Sequence, residues 1–463
     1  FKLFAGHKIE KEGKVMQKHK ASWVLSWAAC LLGFLAVLIF SSPGLAKEEV
    51  VKVGVVAAMK HMMGQQTWAG AEMAAEEINA AGGIKVGGKT YKIELVKADS
   101  NEWASISDAV GAMERVITLD KVKMVMGGYR SEAVLAMQDV AAEYKTIYFS
   151  IGAGHSQIAL RLVQDYEKYK YWFRGGKPQS LYGGIVGIAV VDMVANKFKK
   201  ELGIEKPKVA MIAEKVLWAD ETLKFMKMMC EKKLGLEVVY VTQPSNASND
   251  LRVELNAAKA SGAHILIHLV SGPVGVAFGR QWGSLKIPLA AVGYNAEAMK
   301  KEYWKTTEGL CEYEALVDYV SSAAVNERSV KFWKNYEKKY NDYPMECALS
   351  YNHLYQWKES VEKAGTFDAD KVIVELLKNR FEGPGGVYRY EPKDAKFPHD
   401  LVWAPDGAST YGIQWRKGEK KTIWPDGNAL TWFGDPRWKG IRFKGTVDYA
   451  FPPWVVDYWK KNK

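Results

Sequence analysis

Two short apolar runs, residues 122–126 and 146–149, each stop in a loop of small residues. Gly127-Gly128 follows the first, Ser150-Ile151-Gly152-Ala153-Gly154 follows the second, and a helix-like segment opens near Glu132 between them. A strand, a helix and a strand at this spacing form a βα unit whose strands run parallel. In an open α/β sheet the ligand crevice lies beyond the carboxyl ends of the strands. Ser131 and the backbone of residues 152–154 then stand at that crevice, where a hydroxyl, backbone amides and a helix start are donors for an anionic or polar group. Ordinary strand-to-helix turns, in which glycine serves only its backbone angles, would carry the same residues.

The rest of the chain repeats the theme. Residues 50–57 read as a buried β-branched strand, 59–67 as a loop, and 68–81 as a helix stopped by Gly82-Gly83. A hairpin turn at 86–89, a strand at 91–98 and a helix at 105–119 lead into the central stretch. A second array follows: helix 185–198, strand 208–213, helix 221–234, strand 237–241, then 251–260, 265–270, 274–282 and 288–292 in alternation. Two successive βα arrays imply two doubly wound lobes, hence an α/β fold. Amphipathic helices are expected at 329–340, 348–363 and 369–378, where Trp333, Tyr336, Tyr351, Leu354 and Tyr355 recur at core spacing. From Gly383 the chain is rich in Gly, Pro and aromatics, with hairpin-like strands through Trp415 and Trp424.

At 463 residues, 48% hydrophobic and 25% charged, the chain has ordinary globular composition and room for two lobes. The formal charge of +11 is spread over pairs such as Lys199-Lys200 and Lys338-Lys339, a solvated surface rather than a nucleic-acid face. No P-loop, zinc-finger or RNA-binding pattern is present. Lys18 and Lys20 precede an apolar run at 23–40, and Pro43 and the small residues Gly44 and Ala46 follow it, which reads as a secretory signal peptide cleaved after Ala46. Eighteen apolar residues are also long enough for an uncleaved anchor. Met16 is the natural start, and Lys11-Glu12-Gly13 is what a purine-rich ribosome-binding site spells when translated, so residues 1–15 are expected to be an over-extended reading of the gene. In the mature chain Cys230, Cys311 and Cys347 remain; a Cys311–Cys347 disulfide and three buried thiols are both open.

The run EEINAAGGIKVGGKTYKIELVKADSN, continued through the central stretch and Trp172-Phe173-Arg174, resembles the branched-chain amino-acid type periplasmic binding proteins of ABC transporters. The resemblance covers roughly residues 50–427 and implies two doubly wound parallel-sheet lobes joined by a three-crossover hinge, with the ligand between them. The crossovers fall near Gly175, near Leu316 and at 392–398, giving 47–175 with 317–395 as lobe 1 and 176–316 with 396–463 as lobe 2. It further implies a monomeric periplasmic protein that holds a small molecule, delivers it to an ABC permease and its ATPase, meets the membrane only through that permease, and needs no cofactor, metal or nucleic acid.

By the same resemblance Ser131 matches a serine that bonds a ligand carboxylate, and Gly152, Ala153 and Gly154 match the backbone that holds its polar groups. A threonine or serine usually stands where Gly154 is. Trp218, expected in the loop after strand 208–213, falls where relatives close an aromatic residue over the ligand. Gln179 and Asn295 stand where amino-acid binders carry acids, and Ser271 roughly where a tyrosine is expected. A buried ammonium without a carboxylate partner is costly, so a simple α-amino acid is not the expected ligand; a small polar or carboxylate-bearing molecule, including an aromatic one, is. Tyr129, Arg130 and Tyr294 flank the site, with Arg130 directed either to an anion or to solvent, and His61 and Met63 in the first loop are weaker candidates.

Two other classes share part of this pattern. A ligand sensor of the same fold differs by an uncleaved anchor or a regulator gene beside it. A hydrolase built on Ser131, His155 and Asp139 lacks the Gly-x-Ser-x-Gly elbow and is not expected. The aromatic tail, residues 428–463 with Trp432, Phe433, Trp438, Phe443, Trp454 and Trp459, packs across a lobe or contributes to permease docking.

Overall fold

Apolar runs that stop at small residues become the strands of two sheets, and the helices between them cover both sheets. The computed structural model describes residues 49–405, 407–425 and 445–462. The expected signal peptide, the expected start at Met16 and the tail residues Trp432, Phe433, Trp438 and Phe443 lie outside the described residues.

The first lobe begins with β1 (Glu49–Ala57), α1 (Met62–Ala80), β2 (Ile84–Val86), β3 (Lys89–Asp99), α2 (Ile106–Thr118) and β4 (Met124–Gly127). It continues through α3 (Ser131–Glu143), β5 (Ile147–Ser150), α4 (Gln157–Gln164), α5 (Tyr166–Tyr169) and β6 (Trp172–Arg174). These strands form one sheet in the order β2-β3-β1-β4-β5-β6. Pairing is parallel from β1 to β4, β4 to β5 and β5 to β6, and antiparallel in the β2-β3 hairpin.

The second lobe follows as α6 (Ser180–Lys197), β7 (Val209–Ala213), α7 (Leu217–Met229), β8 (Val238–Thr242), α8 (Arg252–Ala260) and β9 (Ile265–Val270). After it come α9 (Val274–Ser284), β10 (Ala290–Asn295), α10 (Tyr303–Thr306) and β11 (Ala315–Asp318). The chain then returns to the first lobe as α11 (Glu327–Tyr340), α12 (Ser350–Ala364) and α13 (Ala369–Leu376), where the Ser350 hydroxyl donates to the Thr67 carbonyl at 2.7 Å. The small hairpin β12 (Phe381–Gly383) and β13 (Gly386–Tyr388) precedes β14 (Tyr411–Arg416) and β15 (Glu419–Trp424). The latter two extend the second sheet, whose order is β15-β14-β11-β10-β9-β7-β8.

Both sheets are therefore parallel at the centre with antiparallel edges, where the expected hairpins β2-β3 and β14-β15 are joined by tight turns that reverse the chain. β11 belongs to the second sheet, so the chain leaves that lobe after Asp318 rather than at 316. α1 begins at Met62, six residues before its expected start, which turns most of the first loop into helix, buries Met63 and leaves His61 as the N-cap residue.

α6 is apolar over most of its surface, since most of it is covered, with Asp192 and Asn196 on its open side. By length and composition alone it could cross a membrane, but 67% of its apolar window is buried and it is the core helix of the second lobe. Phe149, Phe173 and Phe278 are fully buried; each such side chain contributes roughly 1.5–3 kcal/mol relative to an exposed one. The three mature-chain cysteines are buried free thiols, so the disulfide alternative is not realised. α14 (Pro453–Lys461) packs on the second lobe, with the indole N–H of Trp454 donating to the Ile287 carbonyl (2.9 Å) and that of Trp459 to the Pro288 carbonyl (2.6 Å).

Register aligns the strand ends. Gly127 pairs with Ser150 and Ser150 with Arg174 in the first sheet; Ala213 and Tyr294 both pair with Leu269 in the second.

Candidate functional site

The first wall grows from the ends of β4 and β5. Gly127 and Gly128 have φ of 134° and 78°, and a Cβ on Gly127 would overlap the Val56 carbonyl, so only glycine lets the chain turn there. The turn is pinned by Glu102, fully buried, which accepts the backbone N–H of Tyr129 (2.9 Å) and Arg130 (2.8 Å) and the Ser100 hydroxyl (2.9 Å). Burial pushes the Glu102 carboxyl up, against these hydrogen bonds, which favour its charged form. Arg130 bonds back to the Glu102 carbonyl (3.1 Å) and lies 3.7 Å from Glu132, so its guanidinium braces its own loop.

Ser131 opens α3 and is buried; its Oγ accepts the His155 N–H at 3.3 Å, which leaves its proton to donate elsewhere. Gly152 differs from expectation. Its N–H is used by the Gly128 carbonyl (3.0 Å), and a Cβ there would overlap the Tyr129 ring, so its role is close packing. The Ala153 carbonyl accepts from Arg174 (2.5 Å) and that of Gly154 from the Ser180 N–H (2.9 Å), while the N–H groups of both residues have no partner among the described residues. A Cβ on Gly154 would overlap Ser180 Oγ. The hydroxyl absent from position 154 is thus matched in space by that of Ser180.

The second wall grows from β7, β9 and β10. Glu214 follows β7, is fully buried, and accepts the Ser271 hydroxyl, the Trp218 indole N–H (3.1 Å) and the Gly272 N–H (3.2 Å). Its carboxyl is raised by burial, with the hydrogen bonds opposing. Trp218 sits in the first turn of α7 rather than in a loop, because the helix begins at Leu217. Its ring meets Tyr294 edge to face at 4.9 Å between centroids. Beside it an apolar cavity of about 10 Å³ is walled by Trp218, Met226, Leu269, Tyr294, Val317 and Tyr319, with Gly183, Gly184 and Gly187 of α6 as its floor.

The two walls touch. The hydroxyls of Tyr129 and Tyr294 are 3.2 Å apart, and the Leu217 N–H donates to Glu132 of the first lobe at 3.3 Å. Ser156 donates to Glu221 of α7 through its N–H (3.1 Å) and its hydroxyl.

Two expected residues do not join the site. Asn295 faces the interior of the second lobe, donating to the Gly275 carbonyl (3.1 Å), Tyr303 hydroxyl (3.0 Å) and Glu314 (2.9 Å), because strand alternation sends it opposite to Tyr294. Gln179 lies buried between crossovers, its amide donating to Asp400 (3.0 Å), which pairs with Arg174 at 2.6 Å. The expectation of a site without carboxylates also needs correction. Glu214 and Glu346 are both buried at the junction, Glu346 accepting from Tyr294 (2.5 Å) and Lys177 (3.0 Å). Sequence reasoning passed over Glu102, Lys177, Glu214 and Glu346; the available signal was a lone charge inside an apolar run, as in Met345-Glu346-Cys347-Ala348-Leu349, or directly after a buried strand, as at Glu214.

Comparison with known proteins agrees with this architecture. The sequence profile described as periplasmic binding protein matches residues 50–404. Leu/Ile/Val-binding protein homolog 7 of Brucella melitensis is 25% identical over 427 residues, covering 90% of this chain and 98% of that protein. A putative branched-chain amino acid ABC transporter protein from Silicibacter pomeroyi superposes with a TM-score of 0.69 at 20% identity, covering 88% of this chain and all of that one. A Rhodopseudomonas palustris solute-binding protein in complex with 4-hydroxybenzoate gives 0.66 at 17% identity, covering 87% and 98%.

Proposed function

This chain belongs to the periplasmic binding protein family, and from that premise we propose that it captures a small carboxylate-bearing molecule with an apolar or aromatic body between its lobes and delivers it to an ABC importer. The observation that carries this reading is the pairing of unlike walls. On one side the Ser131 hydroxyl and the N–H groups of Ala153 and Gly154 are donors clustered at a helix start, suited to a carboxylate. On the other, Trp218 and Tyr294 present aromatic faces suited to a flat or branched hydrocarbon body that enters as the walls part, the apolar cavity between them and the glycines of α6 holding no more than about one water while the walls meet. The relative that binds 4-hydroxybenzoate, and a second R. palustris protein in complex with benzoate, carry ligands of this kind.

Closure works as a hinge: a ligand that touches both walls stabilises the state in which they meet. The lobes are residues 47–175 with 319–395 and 176–318 with 396–463, the second crossing being moved from 316 to follow Asp318. The protein acts in the periplasm as a monomer after removal of residues 1–46, with the permease as its partner. Native mass spectrometry of protein purified without denaturation, followed by calorimetry against the retained compound, tests the reading. A retained acid that rebinds supports it; protein that retains nothing and binds no member of a carboxylate panel overturns it.

A further inference from the structure

Lys177 lies just past the first crossover and is 3% exposed. Its ammonium sits over three aromatic faces, 4.6 Å from the Tyr294 ring centroid, 5.2 Å from Tyr319 and 5.7 Å from Tyr129, and 3.0 Å from the Glu346 carboxylate. A ring of aromatic faces closed by a carboxylate is a cation-recognition site. Tyr129 comes from the first lobe and Tyr294 and Tyr319 from the second, so the cage stands where the lobes meet. Its cation is supplied by the chain.

We propose that Lys177 is a built-in occupant of this cage and thereby the residue that decides ligand class: the site takes carboxylates without an ammonium group and turns away α-amino acids. This rests on the solute-binding reading above. The argument is one of charge and space. With Lys177 in place the cage is full and Glu346 is already neutralised, so an arriving ammonium would meet a like charge in a desolvated site, while the other buried carboxylate of the wall, Glu214, is already taken up by the Ser271 hydroxyl and the Trp218 and Gly272 N–H groups. The second oxygen of Glu346 is buried and has no partner among the described residues, so what the cage still offers is an acceptor for a neutral donor such as a hydroxyl. Lys177 makes two hydrogen bonds, to Tyr294 (3.0 Å) and Glu346, which leaves one N–H available to a ligand oxygen.

The test empties the cage. Lys177→Ala leaves three tyrosines and an unpaired carboxylate, and propylammonium chloride, set against equal sodium chloride, should raise its melting temperature while leaving the wild type unmoved. In calorimetry the wild type should bind 4-methylpentanoate and 3-phenylpropanoate at least tenfold tighter than leucine and phenylalanine, and Lys177→Ala should reduce that ratio at least tenfold. Lys177→Met, which refills the cage without charge, should show no propylammonium response and serves if the alanine variant does not fold: it too should lose the discrimination. A wild type that prefers the amino acids, or folded variants with an unchanged ratio and no response to propylammonium, would overturn the proposal. Wild-type protein that binds no small molecule at all, while Lys177→Ala still responds to propylammonium, would instead sink the solute-binding reading and leave the cage assignment standing.

Discussion

Glu221, in the second lobe, accepts both the backbone N–H and the hydroxyl of Ser156 from the loop after β5, and its carboxylate lies 4.0 Å from Nε2 of His155. One side chain thus ties the two lobes together on their closed face. Hydrogen bonds to a charged acceptor contribute about 1.5–3 kcal/mol, so Glu221→Ala should weaken ligand binding by roughly 10–100-fold, mainly through faster release. Stopped-flow dissociation and calorimetry measure this, and thermal unfolding of the ligand-free protein should change little. Burial holds the His155 pKa below the usual histidine range while Glu221 pulls it up. Removing Glu221 should therefore lower it further, a shift that NMR titration reads.

His353 links stability to pH. Its Nε2 accepts the Gly176 N–H at 2.7 Å, so that nitrogen carries no proton, and full burial lowers its pKa to about 3. The unfolded chain titrates near 6.5. Between these values the unfolded state binds the proton and the native state does not, so this contribution to stability is present above about pH 6.5 and is lost as pH falls toward 3. His399, lowered to about 4 by burial, acts in the same direction. Buried Glu102, Asp318 and Asp400, whose carboxyls are raised, act in the opposite one. The comparison that isolates His353 is urea unfolding of wild type and His353→Asn from pH 7 to 5, where the variant should lose about 2 kcal/mol less stability in all, the slopes differing by about 1.4 kcal/mol per pH unit only toward pH 5. Parallel curves would disprove the assignment.

Arg174 and Asp400 form an ion pair with no exposed surface, joining the first crossover to the third. Removing one partner of such a pair leaves a buried charge and costs roughly 3–5 kcal/mol, whereas replacing both with apolar groups can be neutral. Asp400→Leu should destabilise by that amount in denaturant unfolding, and Arg174→Met with Asp400→Leu should recover most of it.

Gly154 is set by Ser180. A Gly154→Ala side chain overlaps Ser180 Oγ, and overpacking of this kind costs typically about 1–3 kcal/mol. Adding Ser180→Gly removes the clash, so the double variant should unfold closer to wild type than Gly154→Ala alone. Differential scanning calorimetry of the three proteins decides it.

Ser131→Ala removes a donor from the first wall and Trp218→Ala removes a face from the second. Each should lower affinity for the retained ligand by about tenfold or more, the scale of one buried hydrogen bond or aromatic contact. Unchanged affinity in both would place the ligand elsewhere.

The general plan could be read from the chain. Small-residue loops after apolar runs marked where β4 and β5 end, and the helix expected at 105–119 is α2, with Ser105 as its N-cap in the structure. Trp218 is expected in a loop and stands instead in the first turn of α7, since nothing local distinguishes a loop tryptophan from one in a first helical turn. Asn295 and Tyr294 are neighbours in sequence, yet in a strand one residue reverses the face, so only Tyr294 turns toward Trp218.

What the sequence determined by itself was local: which runs are apolar enough to be buried, where glycine lets a strand turn into a helix, and hence two α/β lobes with small-residue loops at their facing edges. What only the tertiary structure decided was which charges meet. Lys177 and Glu346 are 169 residues apart, on a crossover and on the segment before α12, and the hydrogen bonds of both side chains go to distant parts of the chain. Their contact exists because the chain crosses between lobes and returns, and it places a cation and an anion in one tyrosine cage. Sequence spacing encodes helix faces and strand ends over a few residues; the electrostatics of a cleft depend on distances through space, and those are set by topology.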